Sequence, residues 1–275
     1  MSDVSLPEDE LAPLPRTAAY RRSFPTLRTV AALVLREMST RYGRTPGGFL
    51  WALLQPLATV LILGFAFSLL ARTPSLGTSF LLFKATGLLP FTLFKTSTNM
   101  MGNALMFSKS LLVYPGVTWI DALLARFILN FIVVTVVTIL IIAGIIIALD
   151  LKLILDWGRI ALATGLAALL GFGIGVLNCF LMERLDVWRN IWGIITAPLM
   201  LASGIIMLYD ELPTVAQNVL WYNPVLHITG MMRQGFYSTY QTDYISVNYV
   251  VFFSMLPMVA GLILLRRYHR YLLNR

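Results

Sequence analysis

The chain has 275 residues, of which 58% are hydrophobic and only 12% charged, with 21 Lys and Arg against 13 Asp and Glu for a net charge of +8. A soluble domain averages about 45–50% apolar and about 25% charged residues, so an ordinary soluble enzyme, a disordered chain and a coiled coil are excluded. The mean hydropathy of +0.77 is concentrated in runs of roughly 20 apolar residues, the length a helix needs to cross a bilayer.

Residues 1–19 are acidic and punctuated by Pro7, Pro13 and Pro15, which predicts a disordered cytoplasmic tail. Residues 20–44 predict an amphipathic helix: Leu27, Val30, Leu33, Val34 and Met38 form one stripe, with Arg28, Arg36, Glu37 and Arg41 mostly elsewhere. Such a helix is too charged to span and suits the membrane interface. No apolar signal-peptide core precedes it, so targeting is expected from the first true span.

Six spans are predicted, at about 47–71, 80–107, 119–149, 158–182, 190–209 and 245–265. Barrel strands are disfavoured because 127–149 is apolar on every face rather than alternating. Thr118-Trp119-Ile120-Asp121 reads as a capping box opening the third span. Segment 210–243 contains a long apolar run, but Pro213, Gln217, Asn218, Asn223, Pro224 and His227 interrupt it. Irregular backbone at membrane depth needs protein or water around it, so two short re-entrant or interfacial helices are expected there. With the N-terminus inside, fourteen Lys and Arg flank the inner side and four the outer side. That asymmetry places both termini, including the tail at 266–275, in the cytoplasm.

No phosphate loop, metal-binding His motif or nucleophile elbow occurs, so the chain is not expected to hydrolyse ATP, hold a metal or carry a catalytic residue. Lone Cys179 reads as a small buried residue. The predicted spans carry essentially no carboxylate, which argues against a proton or sodium relay. The basic excess is explained by positive-inside flanks, without nucleic acid.

Two lysines interrupt the second span. Lys84 and Lys95 are 11 residues apart, close to three turns, and Phe91 and Thr98 fall near the same stripe. One reading is a cationic, partly aromatic channel wall for an anionic substrate; the plainer alternative is that each lysine snorkels to one interface. Arg126 reads as a third interfacial, snorkelling charge. Glu183, Arg184, Asp186, Trp188 and Arg189 form a charged turn, either a docking site or a solvated loop. Asn223, Pro224, His227 and Arg233 either line an external exit or cap short helices.

The run Arg41-Tyr42-Gly43-Arg44-Thr45-Pro46-Gly47-Gly48-Phe49-Leu50-Trp51-Ala52-Leu53-Leu54-Gln55-Pro56-Leu57 resembles the start of the first span in ABC-2 type permeases of bacterial polysaccharide exporters, with Thr45 and Gly47 where Ser and Leu are usual. Gly87-Leu88-Leu89-Pro90-Phe91-Thr92-Leu93-Phe94 is similar to that family's second-span motif. Asn103, Leu105, Lys109 and Pro115 resemble its connector, and Asn223-Pro224, His227 and Arg233 its element before the last span. The likeness runs from Tyr20 to the C-terminus and is nearest to the capsular polysaccharide subgroup, with O-antigen and teichoic acid permeases close by.

The resemblance implies an all-α membrane protein of six spans with an N-terminal interface helix, working as a homodimer. It implies two copies of a separate P-loop ATPase that binds ATP and Mg, this chain holding no cofactor itself. It implies export of a lipid-linked, acidic polysaccharide across the bacterial inner membrane, with periplasmic or outer-membrane export proteins as further partners. By that resemblance, Arg41, Tyr42, Gly48, Trp51 and Pro56 are family-motif residues at the interface helix and the start of the first span, and the interface helix, the 108–115 connector with Ser108 and Lys109, and the Glu183–Arg189 turn become ATPase-contact candidates. Lys84, Phe91, Lys95 and Thr98 would line the conduit, and the Asn223–Arg233 element the exit. O-antigen, teichoic acid or small hydrophobic drug export, a lipid-linked sugar transferase and a scaffold are the alternatives.

Overall fold

A computed structural model describes residues 25–43, 47–70, 73–109, 111–112 and 117–273, without the side chains of 25 and 269–273. The tail expected at 1–19, the start of the interface helix at 20–24, Arg44-Thr45-Pro46 of the first motif, Pro115 of the connector and the end of the C-terminal tail lie outside the described residues.

The described residues form helices α1 (Pro25–Tyr42), α2 (Gly48–Leu70), α3 (Phe80–Gly102), α4 (Ala104–Ser108), α5 (Trp119–Ala148), α6 (Trp157–Arg184), α7 (Trp188–Ala202), α8 (Thr214–Leu220), α9 (Pro224–Phe236) and α10 (Val247–Leu273), with a 3-10 turn at Tyr209–Glu211. Helices α2, α5, α6 and residues Val247–Tyr268 of α10 are long and apolar enough to cross a membrane. Helix α3 has 23 residues but carries Lys84 and Lys95.

Local chemistry sets several helix starts. Thr118 and Asp121 do form a capping box on α5: the Thr118 N–H donates to Asp121 Oδ2 at 2.9 Å, and the Asp121 N–H to Thr118 Oγ1 at 3.3 Å. Asp156 caps α6 by accepting from the Arg159 N–H, and Asn223 caps α9 by accepting from the Val225 N–H, neither with a reciprocal box.

Three expected boundaries shift. The second predicted span divides at Asn103, where α3 ends and the short α4 turns away. The fifth ends at Ala202 rather than near 209, because Gly204, at φ +70°, turns the chain out of the helix. The last helix continues past 265 to Leu273.

Helix α6 is the central element, packed between α3 on one side and α10 on the other. The α6–α10 approach is backbone to backbone. A Cβ on Gly173 would strike the Ser254 carbonyl, and one on Gly261 would sit 2.6 Å from the Leu177 nitrogen. Small residues allow this closeness, and between apolar helices close packing supplies the attraction that water would otherwise drive.

Segment 210–243 folds as two short helices rather than a span. Helix α9 has 13 residues, about 20 Å at 1.5 Å per residue, and every side chain in it except Gln234 is buried, against α6, α3 and α10.

Residues 203–208, between α7 and the 3-10 turn, are irregular; the Leu208 carbonyl accepts from the Glu211 N–H of that turn, and the carbonyls of Ser203, Ile205 and Ile206 take side-chain donors. Two buried cations supply donors. Lys84 Nζ donates to the Ile206 carbonyl at 2.9 Å and lies 3.6 Å from the Phe67 ring centroid. Arg233 Nη2 donates to the Ile205 carbonyl at 3.4 Å, its guanidinium 4.2 Å from the Phe83 ring centroid. Each side chain is 1% exposed. Asn223 and Thr229 complete the clamp, with Asn223 Nδ2 donating to the Ala202 carbonyl and Thr229 Oγ1 to the Ser203 carbonyl.

Two outcomes follow for protein purified in detergent and followed by thermal unfolding. Gly173→Val is expected to cost about 1–3 kcal/mol by overpacking, whereas Gly144→Ala, where a Cβ meets nothing within 4 Å, leaves stability equal or slightly raised. Lys84→Ala is expected to cost about 1–3 kcal/mol through the unpaired Ile206 carbonyl, lowering folded yield together with melting temperature.

Candidate functional site

Helix α3 carries a polar edge. Lys95, Asn99 and Asn103 recur every four residues, and Phe91 and Thr92 extend the edge toward the α9 end of the molecule. Two cavities meet along it. One of about 300 Å³ is lined by Arg41 and Tyr42 of α1, Gln55, Pro56 and Thr59 of α2, Phe91, Thr92, Lys95, Thr96 and Asn99 of α3, and Asn130 and Thr138 of α5. Its remaining wall is Leu88, Leu89, Val133, Val134 and Val137 with Ala52 and Met200. The second, about 380 Å³, lies against α7 and is lined by Lys95, Asn99, Asn103, Met182, Arg189, Trp192 and Thr196, with Gly193 and Ala197. Lys95 and Asn99 belong to both.

The charged lining residues are Arg41, Lys95 and Arg189, and no carboxylate lines either cavity among the described residues. Lys95 is exposed, so its ammonium faces the opening. Amides and hydroxyls line the walls beside the cations. The surface therefore attracts anions and presents hydrogen-bonding groups to a polar, elongated ligand. A groove of about 630 Å³ at the other end, between α2 and α3 around Gly64, Phe65 and Phe80, has no charged lining residue among the described residues.

The stripe read from spacing divides. Phe91 and Lys95 line the first cavity, but Lys84 and Thr98 do not. Lys84 is buried in the clamp near the start of α3, about 16 Å along the helix from Lys95 at 1.5 Å per residue. Thr98 is fully buried, returns its hydroxyl to the Phe94 carbonyl at 2.8 Å, and packs near Gly175 of α6. Shared helical phase put these residues on one side, yet neighbouring helices cover that side unequally.

Of the first-motif residues, Arg41, Tyr42 and Pro56 line the cavity, Gly48 begins α2, and Trp51 points outward at 63% exposure. Tyr42 of α1 packs edge-on against Phe49 of α2, at 5.6 Å between centroids.

The expected exit residues are internal. Pro224, His227 and Arg233 are buried, and Asn223 is occupied as the α9 cap. The Ser246 N–H donates to His227 Nδ1 at 3.2 Å, so Nε2 donates to the Trp221 carbonyl at 2.8 Å. Burial pushes the imidazole below its ordinary pKa and keeps it neutral. Trp221, Tyr244 and Tyr249 pack around this ring. These four residues hold α9 in place and do not line a cavity among those described.

At the other end, Ser108 is buried and Lys109 exposed. The Glu183–Arg189 turn is short and mostly open. Arg184, Asp186 and Arg189 are exposed, and Glu183 is partly so. Trp188 is anchored by its indole N–H to Asn178 Oδ1 at 3.0 Å, and Arg189 reaches Met106 of α4. Arg126 is not a snorkelling residue. It is buried and ion-paired, with Nη2 2.9 Å from Glu37 Oε1 of α1. Sequence reasoning missed this pair and Asn130. One signal was available: Glu37 falls seven residues after Val30, on the packed face of α1. Among the described residues no group of three or more His, Cys, Asp or Glu could hold a metal ion.

Residues 28–237 match the family model described as "ABC-2 type transporter". The chain is also similar to the "Polysialic acid transport protein KpsM" of Escherichia coli, 29% identical over 238 residues, 86% of this chain and 92% of that protein. It is 25% identical over 243 residues to the "Capsule polysaccharide export inner-membrane protein BexB" of Haemophilus influenzae, covering 88% of this chain and 92% of that one. The "Capsule polysaccharide export inner-membrane protein CtrC" of Neisseria meningitidis serogroup B is 26% identical over 243 residues, with the same coverage of 88% and 92%. Since the family model covers most of the chain, including the cavity-lining helices and the α9 clamp, this protein is a member of the ABC-2 type transporter family.

Proposed function

We propose that the chain is the permease subunit of an ATP-driven exporter that moves a lipid-linked, acidic capsular polysaccharide across the bacterial inner membrane. The observation that carries the cargo class is the cation-lined edge of α3, where Arg41, Lys95 and Arg189 face two cavities lacking a lining carboxylate among the described residues. Similarity to proteins named for capsule polysaccharide and polysialic acid transport supports the same reading. A conduit must hold each unit weakly enough to release it. Amides, hydroxyls and dispersed cations suit that demand better than a deep pocket.

In this reading α2, α3, α5, α6, α7 and α10 are the six spans, and α8 and α9 form the re-entrant pair on the external side. Helix α7, about 22 Å long at 1.5 Å per residue, is completed across the bilayer by the clamped segment after it. Both termini are cytoplasmic, as the basic flanks direct. The outward apolar residues of α2 and α7, among them Phe65, Leu69 and Ile194, face lipid and a second copy of the chain, so that two α3 edges enclose one path. Two copies of a P-loop ATPase dock at the α1 end, on α1, Lys109 and the Glu183–Arg189 turn, and bind the ATP and Mg. Periplasmic or outer-membrane export proteins receive the polymer.

Deleting the chain in its own cell is expected to leave the surface bare and acidic polymer trapped in the cytoplasm, seen by fractionation and uronic or sialic acid assay. An unchanged surface polymer returns the cargo to O-antigen, teichoic acid or a small hydrophobic compound. Neutralising the edge as Arg41→Gln with Lys95→Gln is expected to lower export of an acidic polymer about tenfold, the equivalent of about 1.4 kcal/mol. Folded yield should stay constant, in contrast to Lys84→Ala. Full export by the double variant assigns a neutral cargo.

A further inference from the structure

Helix α1 carries Arg28, Arg36 and Arg41, and Glu37 is its single acid. A carboxylate on a basic interfacial helix gains nothing from an anionic membrane surface. Glu37 instead lies on the packed stripe with Val30, Leu33 and Val34, and its Oε1 is 2.9 Å from Arg126 Nη2. Arg126 is 7% exposed.

The same guanidinium joins two further elements. Its Nη1 donates to the Asn103 carbonyl at 3.5 Å, at the joint where α3 ends and α4 begins. It also lies 4.8 Å from the ring centroid of Phe107 on α4. One side chain of α5 is therefore held by α1, by the α3–α4 joint and by α4. One helical turn further along α5, Asn130 donates to Ser97 Oγ at 3.0 Å and Thr96 Oγ1 at 3.3 Å, the two residues after Lys95, and lines the first cavity.

A buried ion pair is a poor stabiliser, since apolar residues of similar volume often serve as well or better. It differs from an apolar contact in another respect. Apolar surfaces attract without direction and can slide, whereas a charge-assisted hydrogen bond fixes one atom against another. Separating this pair would leave Arg126 charged and buried, with its Nε already lacking a partner among the described residues. Displacement of α1 must therefore carry α5 with it.

We infer that Glu37 and Arg126 are the link that passes nucleotide-driven movement of α1 and α4 to α5 and hence to the wall of the Lys95 cavity. Both are positioning residues, and neither lines a cargo cavity. The inference rests on the reading that an ATPase acts at the α1 end, and it is independent of the cargo.

The test uses the full permease–ATPase complex in nanodiscs without polymer, with Cys179→Ala and a reporter Thr92→Cys in the first cavity. Maleimide labelling of the reporter is timed with and without ATP, beside the hydrolysis rate. In the parent, ATP is expected to change the labelling rate about tenfold; Glu37→Gln and Arg126→Gln shrink the change to about twofold or less while hydrolysis continues, the size of loss expected when a coupled pair is cut. Arg126→Lys, which keeps a cation near Glu37, and the exchange Glu37→Arg with Arg126→Glu retain most of the response. An assembled Glu37→Gln complex with the parental response overturns the inference, as does a parent indifferent to ATP. Hydrolysis and response falling in proportion in every variant, Arg126→Lys included, also overturns it, since that marks a purely structural role. Because no polymer is present, a wrong cargo assignment leaves this readout unchanged.

Discussion

An irregular segment packed against apolar helices leaves carbonyl oxygens outside any helical ladder, and each one buried without a partner is costly. At residues 203–208 the protein meets this constraint with Lys84 and Arg233, whose charges are themselves costly to bury. Each solves the other's problem: the cations receive carbonyl oxygens and aromatic faces, and the carbonyls receive donors. Because Lys84 comes from α3 and Arg233 from α9, the clamp also fixes how α9 sits against the bundle. It lets α7 end at Ala202 without opening the packed interior to solvent.

Helix α6 provides the matching constraint at the centre. Close approach to α10 at Gly173 and Gly261 leaves little freedom between those two helices. Helices α2, α5, α7 and α10 all present large apolar side chains outward. The tightly packed part is α3 with α6, α9 and α10, whereas α7 packs only lightly on the other described helices. The cation-lined cavities lie along α3, the second of them against α7. A surface meant to open and close is best placed where one wall is fixed and the other weakly held.

Much of this was legible beforehand. Helix class, the capping box at Thr118 and Asp121 and the interruption of segment 210–243 all follow from residue pattern over short distances, whereas Leu27 and Met38 of the α1 stripe are exposed. Lys95 and Phe91, read from spacing as sharing one face, both line the first cavity. Lys84 and Thr98 were not separable from them, because helical phase records direction but not which neighbour covers each turn. Arg233 and His227 looked like exit residues because polar side chains in an apolar run usually signal contact with water or cargo. Here they satisfy the chain's own carbonyls and N–H groups instead. The Glu37–Arg126 pair joins positions 89 residues apart, and its only local trace was a carboxylate on the packed stripe of a basic helix.

The sequence by itself determined that this is a helical membrane protein whose sequence carries no phosphate-loop motif, and short ordered motifs determined its family resemblance. These are properties of composition and local spacing, which every conformation of the chain shares. Only the tertiary structure decided which charges face a cavity and which are buried as fasteners. That choice depends on which helix covers a given turn and on which carbonyls an irregular segment leaves unpaired. Both arise from contacts between residues far apart in the chain.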